Sequence, residues 1–342
     1  FKKNGFKVRK YKNTILVKND YNKPLTFNDE NDYWKMYCRG AVIDTTKDRV
    51  VCLPPAKGIE ITLSELSNEI DSDSTCEVQH LIDGTMINLF FINDKWTIST
   101  RSEVGGYNKW SDKKSFRKMF EECCDFDYQK MNPNYSYSFV MRHKENRNVS
   151  PVERNELYLV EIYDYSNNSI RRLRVEEYPN DILTIQNTSP PIELPKDYAC
   201  KGITIKRNNK RYKITNPEFE RIKQFKINSN NLLIAYLELR KNGSLKEYLQ
   251  YFPENSEIFK TYQTQLHELS NELYSIYKNV FIYKKKEKKE IPYYLNPLVS
   301  DIHQTYLETK KPTSWNDIKN YIHNLPSKKT AFALSYRKKN IT

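Results

Sequence analysis

Between residues 37 and 217 the chain repeats one pattern: a β-rich run, a cluster of turn formers, and a second β-rich run. Gly40–Asp44 and Arg49–Leu53 flank Thr45-Thr46-Lys47-Asp48, and Met86–Ile92 and Lys95–Thr100 flank Asn93-Asp94. Leu157–Tyr165 and Ser169–Val175 flank Ser166-Asn167-Asn168, and Gly202–Arg207 and Lys210–Thr215 flank Asn208-Asn209. Such runs around Asn- and Asp-rich turns predict antiparallel hairpins. Among them Ser111–Cys124 carries Phe116, Met119 and Phe120 at helical spacing. After Pro217 the period changes. Phe259, Tyr262, Leu266, Leu269, Leu273, Ile276 and Val280 recur every three or four residues, the apolar face of a long helix that starts at Pro253-Glu254 and lasts to about Tyr283. A shorter helix carries Leu232, Leu233, Tyr236 and Leu237, and another carries Val299, Ile302, Tyr306 and Leu307. A last one, capped by Thr313-Ser314, runs through Trp315, Ile318 and Ile322. The fold class expected is α+β: an antiparallel-sheet domain over 1–217, then an all-helical C-terminal domain over 218–342, with the junction near 217–230. No internal repeat is visible.

Composition adds a partner class. Of 342 residues, 38% are hydrophobic and 13% aromatic, including 26 Tyr and 15 Phe, so a core can form although the mean hydropathy is −0.81. The 56 basic and 43 acidic residues leave a formal charge of +13, which points to a polyanionic partner because Lys and Arg displace counterions from phosphates. The six cysteines (Cys38, Cys52, Cys76, Cys123, Cys124 and Cys200) form no Cys-x-x-Cys pair, so reduced thiols in an intracellular compartment are expected. Apolar runs such as Leu232–Leu237 are far too short to span a bilayer. No signal peptide is visible, and Phe at residue 1 is expected of a piece of a longer chain. There is no Gly-x-x-x-x-Gly-Lys loop, and the five histidines (His80, His143, His267, His303 and His323) are scattered without metal-binding spacing.

The segment Leu81-Ile82-Asp83-Gly84-Thr85 leads into the strand Met86–Ile92. Upstream lie Cys38-Arg39-Gly40-Ala41-Val42-Ile43-Asp44 and Val51-Cys52-Leu53-Pro54-Pro55-Ala56-Lys57. Downstream lie Trp96-Thr97-Ile98-Ser99-Thr100-Arg101, Phe139-Val140 with Glu145-Asn146-Arg147, Leu157–Asp164, Lys201-Gly202-Ile203-Thr204-Ile205 and Arg211-Tyr212-Lys213-Ile214-Thr215-Asn216-Pro217. In this order and spacing, across roughly 37–217, the pieces resemble the phage-type RNA ligase family of covalent nucleotidyltransferases. The helical remainder resembles the C-terminal half of viral members, which points to a large DNA virus as source. The resemblance implies an adenylation-type nucleotidyltransferase domain, with ATP and Mg²⁺ as candidate cofactors. The residues alone require no cofactor.

Four positions depart from the family pattern. Leu81 stands where the family has its lysine nucleophile, and an alkyl side chain cannot attack phosphorus. Ser138 and Lys201 stand at glutamates that handle metal, and Thr215 replaces the second lysine of the last motif. The resemblance therefore leaves no catalytic residue and no metal ligand. By analogy, Arg39 and Lys57 would meet a triphosphate tail, Lys213 the α-phosphate and Asp83 the ribose. The Lys201 ammonium could supply charge that a metal would otherwise bring. Basic positions recur along the hairpins, among them Arg171, Arg172 and Arg174, and Lys206, Arg207, Arg211 and Lys223 are the expected RNA contacts, interleaved with Tyr212 and Phe225. The run Lys284–Lys289 reads as a solvated loop.

Three functions stay open: an inactive RNA-ligase-like protein that binds RNA or nucleotide through a retained phosphate-binding groove; an active ATP-dependent RNA ligase whose nucleophile has been replaced at Leu81; and a structural or interaction protein of a large DNA virus. The last would dock a protein partner through the helical domain, in host cytoplasm or virion, without a membrane.

Overall fold

The computed structural model describes residues 1–20, 30–65, 76–109, 114–167, 169–185, 187–188, 194–207, 210–226 and 231–341. They fall into two units, Phe1–Lys223 and Gln224–Thr342. Asn168, the Asn208-Asn209 turn and the start of the expected Ser111–Cys124 helix lie outside the described residues.

In the first unit, β1 (Phe6–Lys10), β2 (Thr14–Asn19), β3 (Arg39–Asp44) and β4 (Arg49–Cys52) pair antiparallel in that order. The hairpin β1–β2 lies upstream of the region read as hairpins. On the edge strand β1, Phe6 is buried but Arg9 and Lys10 face solvent, so the alternation that would reveal a strand is weak. Two further sheets follow. Short β5 (Ile59–Glu60) and β6 (Glu77–His80) are the edges of a sheet completed by β12 (Gly202–Arg207) and β13 (Lys210–Thr215), in the order β5-β13-β12-β6. Only the β5–β13 pair in it is parallel. The third sheet contains β7 (Thr85–Ile92), β8 (Lys95–Thr100), β9 (Tyr135–Arg142), β10 (Glu156–Asp164) and β11 (Arg171–Arg172), in the order β11-β10-β9-β7-β8.

The β7–β8 turn is built by Asn93 and Asp94, both at positive φ (51° and 56°), as a twist-matched two-residue hairpin turn requires. Strand β9 joins two hairpins that look independent in the sequence. Its Ser136 and Ser138 are fully buried, which disguises the strand from a hydrophobicity reading. Helix α1 (Phe116–Cys123), capped by the Ser115 hydroxyl accepting from the Lys118 amide, lays Phe116, Met119 and Phe120 against Ile87, Leu89, Phe139, Leu159 and Ile162.

Helix α2 (Pro217–Phe225) straddles the division between the units, which falls after Lys223. Its buried Phe219 and Ile222 tie most of it to the β-rich unit. The second unit is helical: α3 (Leu232–Lys241), α4 (Leu245–Tyr251), α5 (Ser256–Tyr277, continued by a π-turn Lys278–Ile282), α6 (Asn296–Thr309), α7 (Trp315–Asn324) and α8 (Ser327–Ile341). Leu266, Leu269 and Leu273 of α5 are buried as their spacing predicts. Ser314 and Asp317 form a capping box at α7. The chain does not end with α7. In α8 the buried apolar set is Ala331, Ala333 and Leu334, joined by Ser327 and Thr330, too small and too polar to announce a helix face. Among the described residues no helix is long and apolar enough to cross a membrane.

Candidate anion-binding site

The turn Leu81–Gly84 carries the chain from β6, in one sheet, to β7, in another, and both neighbours of this crossing are glycines for steric reasons. A Cβ on Gly84 would lie 2.5 Å from the Met141 carbonyl oxygen. Gly202 has φ +137°, and a Cβ there would lie 2.1 Å from the Ile214 oxygen. The Leu81 amide donates to the Gly202 carbonyl at 2.9 Å, which sets residue 81 beside the start of β12. Around this crossing lies a cavity of about 280 Å³. Five basic side chains line it: Arg39 from β3, Lys57, Lys201, and Arg211 and Lys213 from β13. His80 joins them, and Leu81, Ile82, Met86, Val140, Val160 and Ile185 supply apolar wall. None of the residues lining it is acidic.

Each cation is positioned differently. Arg211 Nε donates to Thr204 Oγ1 at 3.1 Å, and its amide donates to the Tyr33 hydroxyl at 3.1 Å. Lys213 Nζ pairs with Glu60 Oε2 at 2.5 Å, and Glu60 also accepts from Thr215 Oγ1 at 2.6 Å. Partial burial pushes the Glu60 carboxyl up, but those two partners outweigh it and hold it below the usual carboxylate range. The exposed Lys57 ammonium makes no ion pair among the described residues. Lys201 Nζ sits 3.5 Å from Asp83 Oδ1 and 5.6 Å from the ring centroid of the fully buried Phe219. Burial lowers the pKa of Lys201 against the pull of Asp83.

Of the five side chains expected to touch nucleotide, four line the cavity: Arg39, Lys57, Lys201 and Lys213. Asp83 does not. It is buried, and its Oδ2 accepts from the amides of Val149 (2.8 Å) and Ser150 (3.1 Å) while Oδ1 faces Lys201. The expected ribose contact is thereby replaced by a structural one: Asp83 holds a loop and the Lys201 ammonium.

Behind the cavity wall, Lys206 is 2% exposed, its Nζ 3.3 Å from Glu161 Oε2 and donating to the Val160 carbonyl at 2.8 Å. Burial lowers its pKa to about 8, against the attraction of Glu161. Burial pushes the Glu161 carboxyl up, but Lys206, Arg211 and Arg172, with the Tyr163 hydroxyl donating at 2.6 Å, hold it below the ordinary range. This corrects the expectation for Lys206: it braces β12 against β10 from inside and presents nothing to RNA. Glu161 also lies opposite Ser138 in the β9–β10 register. Ser138, where the resemblance places a metal-handling glutamate, donates to Asn88 Oδ1 at 2.9 Å inside the sheet.

The other expected RNA contacts do not gather into one face. Arg211 belongs to the cavity, Arg207 ends β12, and exposed Lys223 is bonded to Glu220 of its own helix at 2.9 Å. Arg171 pairs with Glu177 at 2.8 Å, and Arg172 pairs with buried Glu77 at 2.5 Å. Arg211 shares a face of β13 with Lys213 by the two-residue period of a strand, so residue spacing alone is enough to pair these two cations. The contributions of Glu60, Tyr33 and the apolar wall had no such signal, because they arrive from distant segments.

The donor set does not fit a divalent cation. Mg²⁺ takes oxygen ligands, chiefly carboxylates and waters. The side chains lining the cavity carry ammonium and guanidinium groups instead, and among the described residues no three His, Cys, Asp or Glu cluster to hold a metal.

All six cysteines are free. Burial pushes the Cys38, Cys52 and Cys123 thiols up to about 12, so none of these three is primed as a nucleophile.

No family model matches the chain. An immediate-early protein ICP-46 homolog of Invertebrate iridescent virus 3 is 22% identical over 233 residues, covering 64% of this chain and 51% of that protein. The chain thus spans about half the length of this curated viral relative. Among solved structures, a putative ATP-dependent DNA ligase from Aquifex aeolicus aligns with 82% of this chain and 75% of its own, at 14% identity and a TM-score of 0.44. An archaeal ATP-dependent RNA ligase aligns in one form with 97% of this chain and 74% of its own, at 13% identity and TM-score 0.43. In another form the values are 73%, 64%, 16% and 0.42. Scores at this level carry no argument about fold family or activity, so the functional reading rests on the site and on the order of the motifs.

Proposed function

We propose that this protein binds a nucleotide or the phosphates of RNA in the cavity around Leu81, on an RNA-ligase-like plan, without forming a covalent nucleotide at that residue. The observation that carries the reading is the convergence of Arg39, Lys57, Lys201, Arg211 and Lys213 on one cavity without an acidic lining residue. These cations repel one another, offset only in part by Asp83 beside Lys201 and Glu60 beside Lys213, and that arrangement is favourable when an anion sits among them. The apolar wall of Leu81, Ile82, Met86, Val140, Val160 and Ile185 gives a base or sugar a dry surface. Leu81 occupies the nucleophile position with a side chain that has no lone pair to offer.

Two measurements test this together. Calorimetry with ATP, GTP and a 5′-phosphorylated oligoribonucleotide is expected to show saturable binding. The same protein incubated with radiolabelled ATP or GTP and Mg²⁺ or Mn²⁺ is expected to run unlabelled on a denaturing gel. Leu81→Lys alone is expected to recover little labelling, because Ser138 and Lys201 still stand where the resemblance places carboxylates. A stable lysine-type adduct on the unaltered protein would overturn the non-covalent reading.

A further inference from the structure

We infer that the cavity selects a phosphate ligand free of divalent metal, with the Lys201 ammonium standing where a cation would otherwise sit. The inference rests on the reading of the cavity as a phosphate site and specifies the ionic form that it takes. Every carboxylate near the cavity already has a cation of the protein's own. Asp83 faces Lys201 at 3.5 Å and spends its other oxygen on two backbone amides. Glu60 is held by Lys213 and Thr215, and Glu161 is closed into the interior with Lys206 and Tyr163. A magnesium ion riding on a polyphosphate could keep its waters but would find no lining carboxylate to anchor it, and it would meet like charge from the basic side chains of the lining.

Metal would also weaken the attraction that the site offers. A bound divalent cation cancels two of the negative charges that the lysines and arginines would otherwise meet directly. Lys201 is fixed for this role from three directions: Asp83 on one side, the Phe219 ring on another, and the backbone bond between Leu81 and Gly202 next to it. Its charge is therefore held beside the chain crossing without a mobile ion.

The test is calorimetry with ATP and, separately, inorganic tripolyphosphate, each in EDTA and in excess Mg²⁺. The unaltered protein is expected to bind both ligands in EDTA and to bind them several-fold more weakly when Mg²⁺ saturates the ligand. Lys201→Met should lose about tenfold or more in EDTA, the scale of one charge-assisted contact. Lys201→Glu, which puts a second carboxylate beside Asp83, should bind poorly in EDTA and be rescued by Mg²⁺. Thermal unfolding of both variants shows whether a loss reflects the site or the fold, and rescue by Mg²⁺ cannot come from an unfolded chain. Binding by the unaltered protein that requires Mg²⁺ overturns the inference and leaves the phosphate-site reading intact. Absence of binding under both conditions overturns that reading, and the inference with it.

Discussion

Among the described residues, the buried charged side chains Asp44, Glu77, Asp83, Glu161 and Lys206 all belong to Phe1–Lys223, whereas the buried polar residues of Gln224–Thr342 are the uncharged Ser270, Ser327 and Thr330. The helical unit keeps its ions outside. Arg337 bridges Glu268 and Glu272 at 2.7 Å each on its surface, and in the lysine-rich stretch Lys285 and Lys288 lie over the rings of Tyr283 and Phe281. Ser270, its buried polar group inside α5, bonds to the Leu266 carbonyl one turn back at 2.8 Å. Burying a charge costs several kcal/mol of desolvation unless it is paired, so the unit that carries such groups, and whose cavity is lined by five basic side chains, is where specific binding is expected. The helical unit is held by ordinary apolar burial and shows no comparable concentration among the described residues.

The largest test of this contrast is Glu161→Gln. It takes the carboxylate partner from the buried Lys206 amine and should destabilise by about 3–5 kcal/mol in urea unfolding. Lys260→Ala, which breaks an exposed pair with Glu257 in the other unit, should cost roughly 1 kcal/mol or less. A double replacement, Glu161→Leu with Lys206→Met, should recover most of the first loss. If the surface and interior changes cost the same, the distinction between the units fails.

Next in size is ligand affinity. Arg211→Ala and Lys213→Ala should each weaken nucleotide binding about tenfold or more, one charge-assisted contact apiece. Lys285→Ala with Lys288→Ala should leave it within about twofold, because those ammoniums serve aromatic packing on the other unit. The reverse ranking would move the site to the helices.

Acid stability sharpens the same point. The Glu161 carboxyl is held below its ordinary value in the folded protein, so its contribution is fully present above the unfolded value of about 4.3. It is lost as pH falls through the folded value, since protonation then favours the unfolded chain. Urea midpoints between pH 6 and pH 3 should fall more steeply for the unaltered protein than for Glu161→Gln.

The smallest effect concerns RNA. Arg207→Ala with Lys223→Ala should weaken oligoribonucleotide binding evenly across sequences and flatten the log–log salt dependence by about one unit, near the ~0.7 per phosphate expected for single strands. Filter binding at several salt concentrations measures it. An unchanged slope would confine RNA contact to the cavity.

Local structure was largely legible from residue order. The turn residues Asn93 and Asp94, the apolar face of α5 and the capping box at Ser314 act over a few residues, so their consequences appear wherever the segment folds. The set Arg39, Lys57, Lys201 and Lys213 came from motif order and meets in one cavity. Asp83 and Lys206 went otherwise because a side chain's partner is set by what packs across from it. The Val149 and Ser150 amides lie 66 and 67 residues from Asp83, and the Val160 carbonyl lies 46 residues from Lys206.

The strand β9 shows the same limit. Ser136 and Ser138 look like surface residues when read along the chain, yet both are buried because β7 and β10 pair on either side of them. By itself the chain determined its hairpins, its helix faces, its positive charge and a side chain without a nucleophilic atom at position 81. Those are properties of neighbours in sequence and of side-chain chemistry. Only the tertiary structure decided which cations face the cavity and which are consumed inside, because that depends on how three sheets meet and on the low dielectric between them, where a charge must find a partner or stay out.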